Sequence, residues 1–301
     1  MMLLLGGTGL LGGHVLRKLR EELHPVRLYS RGSRDWRDAS VQDVRQKGAE
    51  LVIADALDLE KLSKAAEGCT AIINLIGAMP PRAGTNMKAV HVQVVKNILK
   101  IAEEQHIQRF IHLSCLGADG SNPGDYFRTK YEADKLVRQA ELYWTILRPS
   151  YLFADRFPFL EALMPMIRFP IFMPIVGSGQ YEIQPVHAED VASCLVSALY
   201  DRETVSKEFD LAGPDTFTIQ ELMELARKAH RMTGSSMNIS AQTASNAADN
   251  LGKWLPRASL NVELIQLMLS NSATDKNALT SYFKREPIAL SDCFQKVVSA
   301  R

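Results

Sequence analysis

Tyr126 and Lys130 stand four residues apart near the middle of the chain. On a helix this spacing places both side chains on one face, where the ammonium group can lower the pKa of the phenol. A tyrosine with such a partner can give or take a proton near neutral pH. The same pattern is common on surface helices, but here it follows a predicted strand that ends at Ser114. This context favours a catalytic group of Tyr126, Lys130 and Ser114.

Glycines dominate the stretch that follows a short apolar run at residues 3–5. Glycine lets the backbone turn tightly and approach a phosphate closely, and the free N–H groups at the start of the next helix attract an anion. The order of strand, loop and helix favours a dinucleotide pyrophosphate site over an ordinary turn. The candidate residues of this loop are Gly6, Thr8, Gly9, Leu10, Leu11 and Gly12.

The ends of the following strands carry further candidate cofactor contacts. An acid at the end of the second strand selects the ribose diol of NAD, whereas this strand runs into Arg31, which suits a 2′-phosphate or is a solvated loop arginine. We therefore predict NADP(H), with NAD(H) less favoured. Asp55 can accept a hydrogen bond from the adenine amino group or close a turn, and Gly77 leaves room beside the cofactor. The remaining candidates are Ala56, Pro149 and Lys130, whose ammonium group can also bind the nicotinamide ribose.

Apolar runs alternate with amphipathic helical stretches through the first half of the chain. This pattern predicts βαβ units and an α/β fold with a doubly wound, Rossmann-type parallel sheet. We expect the dinucleotide-binding domain over 1–149, with 180–200 returning to it, and a smaller C-terminal substrate lobe over 150–179 and 201–301. In that lobe Thr218 and Glu221 predict a helix start, and the polar composition of 233–250 predicts a loop.

The composition excludes several classes of function. Lys plus Arg number 35 against 34 Asp plus Glu, so there is no large basic field for nucleic acid. The four cysteines form no C-x-x-C pair and the seven histidines do not cluster, so we predict no metal site and a cytoplasmic, reducing location. No signal peptide or transmembrane helix is expected, because the apolar runs are short or interrupted by proline. The apolar stretch 157–175 can wall a substrate pocket, or contact a partner protein or a membrane surface to which the protein is peripheral.

Six sequence motifs in the same order resemble the extended or atypical short-chain dehydrogenases/reductases, over residues 1 to about 225. The motifs cover residues 6–12, 109–114, 126–134, 146–150, 185–192 and 209–214. The likeness implies a bound nicotinamide dinucleotide and a catalytic Tyr126 and Lys130. Within that superfamily, the stretch from Ser114 to Asp119 is similar to the branch of the nucleotide-binding accessory subunit of respiratory complex I, where the nucleotide is structural.

Three departures from the family pattern bear on catalysis. Cys115 stands where the sugar-nucleotide epimerases have a Ser or Thr that polarises the substrate, and a thiol is a weaker donor. His91 stands where an asparagine supports the active site, and the segment 116–125 is short. Two hypotheses remain open. One is an NADP(H)-dependent oxidoreductase with a small-molecule substrate that the sequence does not identify; the other is a non-catalytic nucleotide-binding module of a respiratory-type assembly.

Overall fold

The computed structural model describes residues 1–31, 49–77, 85–122, 124–254 and 261–299. Its strands in chain order are β1 (Met2–Leu5), β2 (Val26–Ser30), β3 (Glu50–Ile53), β4 (Ala71–Asn74), β5 (Arg109–Leu113), β6 (Tyr143–Pro149), β7 (Leu152–Phe153), β8 (Met173–Val176), β9 (Glu182–Ile183), β10 (Val186–His187), β11 (Lys207–Leu211), β12 (Phe217–Thr218) and β13 (Ser236–Ile239).

The α-helices over the same residues are α1 (Leu10–Glu21), α2 (Leu59–Ala66), α3 (Val94–Glu104), α4 (Asp125–Arg138), α5 (Pro158–Ile167), α6 (Ala188–Tyr200), α7 (Ile219–Ala229), α8 (Ala241–Trp254), α9 (Val262–Met268), α10 (Ala278–Ser281) and α11 (Leu290–Ser299). A π-helical turn, Lys88–Gln93, leads directly into α3. No helix in the part of the chain that the structure describes combines the length and the apolar character needed to cross a membrane.

A parallel sheet of seven strands, counted over the described residues, forms the centre of the fold in the order β11-β6-β5-β4-β1-β2-β3. Side chains alternate across a strand, so Leu4 packs with α1 and α6 on one face while Leu3 and Leu5 pack with α2, α3 and α4 on the other. Helices on both faces explain why β1 is wholly apolar and buried. The predicted doubly wound α/β fold is confirmed.

The lobe has a hydrophobic core built largely from α5, α7, α9 and α11, which Tyr126 and Phe127 of α4 also join. Its helix α7 begins with the predicted capping box, in which Thr218 and Glu221 bond each other's backbone N–H groups. Residues 233–250 differ from the predicted loop, since they contain β13 and the start of α8. Tertiary contacts give this polar stretch regular structure. Strand β13 pairs with β8, and the Ser240 hydroxyl caps α8 by accepting a hydrogen bond from the Thr243 N–H.

Strand β11 lies within the range that the sequence assigned to the lobe, yet it is an edge strand of the main sheet. It pairs in parallel with β6, and Phe209 lies opposite Leu147. The chain therefore returns to the sheet after α6, and the carboxyl ends of β6 and β11 lie side by side. The bounds of the two domains stay a prediction.

Candidate functional site

The glycine loop forms a tight turn against the carboxyl ends of β1 and β2. Gly6 has a φ of +76°, which favours glycine, and its N–H donates to the carbonyl of Tyr29 at 3.1 Å. Gly9 begins α1 without a capping side chain among the described residues. A Cβ on Gly9 would have only the Gly6 carbonyl oxygen nearby, at 3.4 Å. The first turn of α1 is thus left open for an anion, as a pyrophosphate site requires.

Gly12 has a different role from Gly9, because it lets α1 pack on the loop. A Cβ at this position would lie 2.4 Å from the Cα and carbonyl carbon of Gly7. Leu11 is buried in the core beneath the loop, while Thr8 bonds Ser30 across 2.7 Å between their hydroxyl oxygens. The loop is therefore fixed from below, and its open side lies at the start of the helix.

The end of β2 and the end of β3 lie next to this loop. Arg31 follows β2 and is exposed, which fits a role in holding a 2′-phosphate. The Asp55 carboxylate accepts a hydrogen bond from the Leu57 N–H at 2.9 Å, so this side chain closes a turn. Its contact with an adenine stays a prediction. Ala56 is buried, and its carbonyl accepts a 3.0 Å hydrogen bond from the Asn97 amide.

Lys130 lies inside the protein at the carboxyl edge of the sheet. Its Nζ donates to the Leu113 carbonyl at 2.8 Å, and a Cβ on Gly77 would be 3.5 Å from Nζ. Burial lowers the pKa of Lys130, and the nearby Cys115 and Asp134 raise it in part. The ammonium group is therefore held next to the backbone of Gly77, where the sequence predicted the cofactor.

Tyr126 lies one turn before Lys130 on α4, and only 5% of its surface is exposed. Its ring packs edge-on against His91 at 5.3 Å and against Phe127 at 5.4 Å between ring centres. Burial, and next the proximity of Cys115, raise the pKa of Tyr126 well above 10. The prediction that Lys130 lowers this pKa is wrong for the described structure, because burial dominates at the phenol.

Cys115 is buried close to the Tyr126 phenol. Tyr126 and Cys115 are close enough to influence each other's pKa, and burial raises the pKa of the Cys115 thiol to about 12. The thiol is therefore protonated and unreactive near neutral pH. Tyr126 therefore has a thiol beside it. The sugar-nucleotide epimerases have a hydroxyl group at this position, which is a stronger hydrogen-bond donor.

His91 is placed on the π-helical turn and is 2% exposed. Its Nδ1 lies 2.8 Å from Thr129 Oγ1, whose own hydroxyl donates to the Asp125 carbonyl at 2.7 Å. Thr129 therefore accepts the Nδ1 proton, and His91 Nε2 has no hydrogen-bond partner among the described residues. Burial, followed by the charge of Lys130, lowers the pKa of His91 well below 6.5.

The comparison with known protein families agrees with this geometry. The model of the NAD(P)H-binding family matches residues 6–166, which is more than half of the chain and includes the loop, Tyr126 and Lys130. The chain belongs to the NAD(P)H-binding family. The resemblance drawn from the six motifs is confirmed.

Two curated relatives of this NAD(P)H-binding protein carry names of redox proteins. It is 30% identical over 226 residues to subunit 9 of the NADH dehydrogenase [ubiquinone] 1 alpha subcomplex of Arabidopsis thaliana, covering 73% of this chain and 55% of that one. It thus spans about half the length of that relative. It is 21% identical to an NAD(P)H azoreductase of Xenophilus azovorans, covering 84% of this chain and 82% of the other.

Among solved structures, an NADPH-dependent quinone oxidoreductase of Escherichia coli in complex with NADPH has the same fold. The TM-score is 0.74 at 18% identity, over 97% of this chain and 98% of that one. The structural likeness therefore extends over the whole fold, including the lobe.

A buried polar chain beneath the site was missed by the sequence analysis. Ser114 donates its hydroxyl proton to Asp134 across 2.6 Å, and His112 Nε2 faces the second oxygen of Asp134 at 3.4 Å. The Asn74 amide donates to His112 Nδ1 at 3.2 Å. Asp134 follows Lys130 by four residues, so the helical spacing that identified Tyr126 and Lys130 could have identified Asp134 also. Ser114 is therefore hydrogen-bonded to Asp134 in this buried polar network and not to Tyr126.

Beyond Pro149, which ends β6, a polar cavity of about 490 Å³ opens between the sheet and the lobe. The loop 116–122 lines it together with Arg148 and Asp210. Arg148 Nε donates to Asp210 at 2.7 Å, so these two charges are paired, while the Asp119 carboxylate accepts hydrogen bonds from Ser121. Among the described residues, no three His, Cys, Asp or Glu side chains gather as a metal site.

Proposed function

We propose that this protein is an NADPH-dependent reductase of apolar, two-electron acceptors. The observation that carries the proposal is Lys130, whose buried ammonium group is held at the Leu113 carbonyl and beside Gly77, on the same helix face as Tyr126. The open first turn of α1 receives the pyrophosphate, Lys130 holds the nicotinamide ribose, and Arg31 holds the 2′-phosphate. Bound NADPH supplies a hydride. The residues present fit this cofactor, because a Cβ on Gly9 would fill the cradle that they leave open.

The chemistry around Tyr126 narrows the class of acceptor. Reduction of an aldehyde or ketone builds an alkoxide, which needs a strong proton donor. Tyr126 has a raised pKa and Cys115 is a weak donor, so this site is poorly suited to an alkoxide. Quinones and azo compounds delocalise the negative charge that a hydride brings and take up a proton afterwards. The names of the azoreductase and quinone oxidoreductase relatives support this class.

The lining of the site also favours a flat apolar acceptor. Met87, Tyr151 and Cys115 are buried in the same hydrophobic cluster as Tyr126. Tyr151 stacks on Phe159 with ring centres 4.0 Å apart, which continues the aromatic wall into the lobe. An aromatic acceptor can enter between such side chains at little cost in desolvation of polar groups.

A second candidate function is a nucleotide-binding module without turnover. The burial of Tyr126 favours it, because a phenol that is 5% exposed must be uncovered before an acceptor reaches it. The respiratory subunit relative supports docking onto a larger assembly, peripheral to a membrane. In this case the dinucleotide stabilises the fold by binding only to the native state.

The test compares NADPH oxidation by the native protein, Tyr126→Phe and Lys130→Ala with menadione, an azo dye and a small aldehyde. A reductase oxidises NADPH with the first two acceptors and not with the aldehyde. Lys130→Ala should weaken NADPH binding and remove turnover. Tyr126→Phe keeps the ring, so NADPH affinity should be unchanged while proton delivery slows. No oxidation with any acceptor, together with a raised melting temperature in NADPH, would leave the binding module as the function.

A further inference from the structure

Three large apolar side chains are exposed on one side of the lobe. Ile171 is 75% exposed, Met237 is 45% exposed and Phe169 is 40% exposed. They come from two segments that lie side by side, since the Met173 N–H donates to the Ser235 carbonyl at 2.9 Å and Met237 lies opposite Pro174. Isolated exposed apolar residues are ordinary, but a group of three on adjoining segments marks a contact surface.

Cationic side chains flank this apolar group. Arg168 is exposed next to Phe169 and lies near His230, whose pKa is lowered first by burial and next by the charge of Arg168. Lys228 and Arg231 are exposed at the end of α7. The acid beside the group is Glu224, whose carboxylate accepts a 2.8 Å hydrogen bond from Gln220. We call this surface the basic apolar strip, made of Arg168, Phe169, Ile171, Lys228, Arg231 and Met237.

A buried arginine lies beneath the strip with unused donors. Arg227 is 5% exposed, and its Nη2 donates to the Thr233 carbonyl at 2.7 Å. Its Nε and Nη1 have no hydrogen-bond partner among the described residues. A Cβ on Gly234 would lie 2.5 Å from Nη2, so the backbone passes directly over the guanidinium group. A desolvated cation with free N–H groups adds a positive field to this surface.

We propose that the basic apolar strip docks on a membrane surface that contains anionic phospholipid. Apolar side chains within a border of Lys and Arg are what interfacial segments use, since the first enter the acyl boundary and the second meet lipid phosphates. The whole chain carries a net charge of only +1, so the attraction comes from this local group. Of the apolar stretch 157–175, only the exposed end from Arg168 to Ile171 takes part, because Phe157, Phe159 and Leu163 are buried in the lobe.

The proposal goes beyond the reductase and does not depend on it, because docking requires no turnover. The experiment is flotation of the full chain with vesicles of phosphatidylcholine alone or mixed with phosphatidylglycerol. The protein should bind the mixed vesicles, and added salt should weaken binding. Replacing Arg168 and Arg231 together by Glu should reduce the partition coefficient by about fivefold or more for each cation lost.

Two further variants test the apolar part of the strip. Phe169→Ser combined with Ile171→Ser should lose most of the binding, while Tyr143→Ser, at a residue 56% exposed at the start of β6, is the matched control and should bind like the native protein. Ile171→Trp should show a blue shift of emission on mixed vesicles only. Unchanged melting temperature and NADPH affinity establish that the variants fold. No binding to either vesicle, or equal binding by the native protein and the strip variants, would overturn the proposal and leave a protein as the occupant.

Discussion

The carboxylate of Asp134 accepts a 2.6 Å hydrogen bond from Ser114 although Asp134 has no exposed surface. The cost of burying this charge is offset by the hydroxyl, by His112 and by Lys130 one turn earlier on α4. The negative charge of Asp134 in turn raises the pKa of Lys130, which opposes the lowering by burial. The negative charge of Asp134 therefore favours the charged form of Lys130.

Asp134→Asn should make NADPH binding sensitive to pH. Without the negative charge, burial lowers the pKa of Lys130 further, so the ammonium group is lost at a lower pH than in the native protein. Affinity should then fall as pH rises from 7 towards 9, while the native protein holds its affinity over more of that range. Fluorescence titration with NADPH across pH measures this. Lys130→Ala is the control, since it should bind weakly at every pH, and matching profiles for Asp134→Asn and native protein would contradict the pairing.

His91 should make the protein less stable in acid. Its pKa is lowered well below 6.5 in the folded state, so below pH 6.5 the unfolded chain takes up a proton that the folded chain does not. Stability therefore falls as pH decreases below 6.5, by up to about 1.4 kcal/mol per pH unit for this one group. His91→Asn keeps a donor for Thr129 and removes the titration.

Urea unfolding of the native protein and His91→Asn at pH 7.5 and pH 5.5 measures this difference. The loss of unfolding free energy between the two pH values should be smaller in the variant. His112, His187 and His230 also have lowered pKa values, so they contribute equally to both proteins and cancel in the comparison. An identical pH dependence in the two proteins would show that folding does not lower the pKa of His91.

The local patterns of the sequence were enough to predict the parallel sheet, with a glycine loop between its first strand and the next helix. A strand, a glycine loop and a helix follow one another along the chain, so each can be recognised from residues that are close together in the sequence. The pairing of β11 with β6 could not be predicted, since it joins residues about sixty positions apart and depends on how the lobe folds.

The pKa directions at the site were harder to predict than the positions of the residues along the helix. Spacing on a helix places Tyr126 and Lys130 on one face, but it does not tell how deeply either is buried. Burial raises the pKa of Tyr126, which was expected to be lowered. Burial also leaves His91 Nε2 without a hydrogen-bond partner among the described residues. Ser240 and the pairing of β13 with β8 likewise ordered a polar stretch that propensity alone assigns to a loop.

Gly9→Val should abolish NADPH binding while the protein still folds. The backbone of Gly9 has a φ of −79° and a ψ of 176°, which valine adopts without strain, and its Cβ would face the open side of the loop. The branched side chain would then occupy the space of the pyrophosphate. Calorimetry with NADPH measures the loss. Gly13→Ala is the matched control, because a Cβ there meets no atom within 4 Å, and it should bind NADPH normally.

Arg31→Ala should weaken NADPH and leave NADH unchanged. Arg31 is exposed at the end of β2, next to the loop that Thr8 and Ser30 fix, and a guanidinium group there can bond the 2′-phosphate that NADH lacks. Loss of a charged hydrogen bond costs about 1–3 kcal/mol, so the NADPH dissociation constant should rise by roughly tenfold or more. Arg128→Ala is the control, since Arg128 is an exposed arginine paired within α4 to Asp125 and Glu132. Titrations of the three proteins with both cofactors decide the matter: equal affinity of the native protein for NADPH and NADH would end the assignment to NADP(H), and an equal loss for both cofactors in Arg31→Ala would mean that this side chain holds the shared part of the dinucleotide instead.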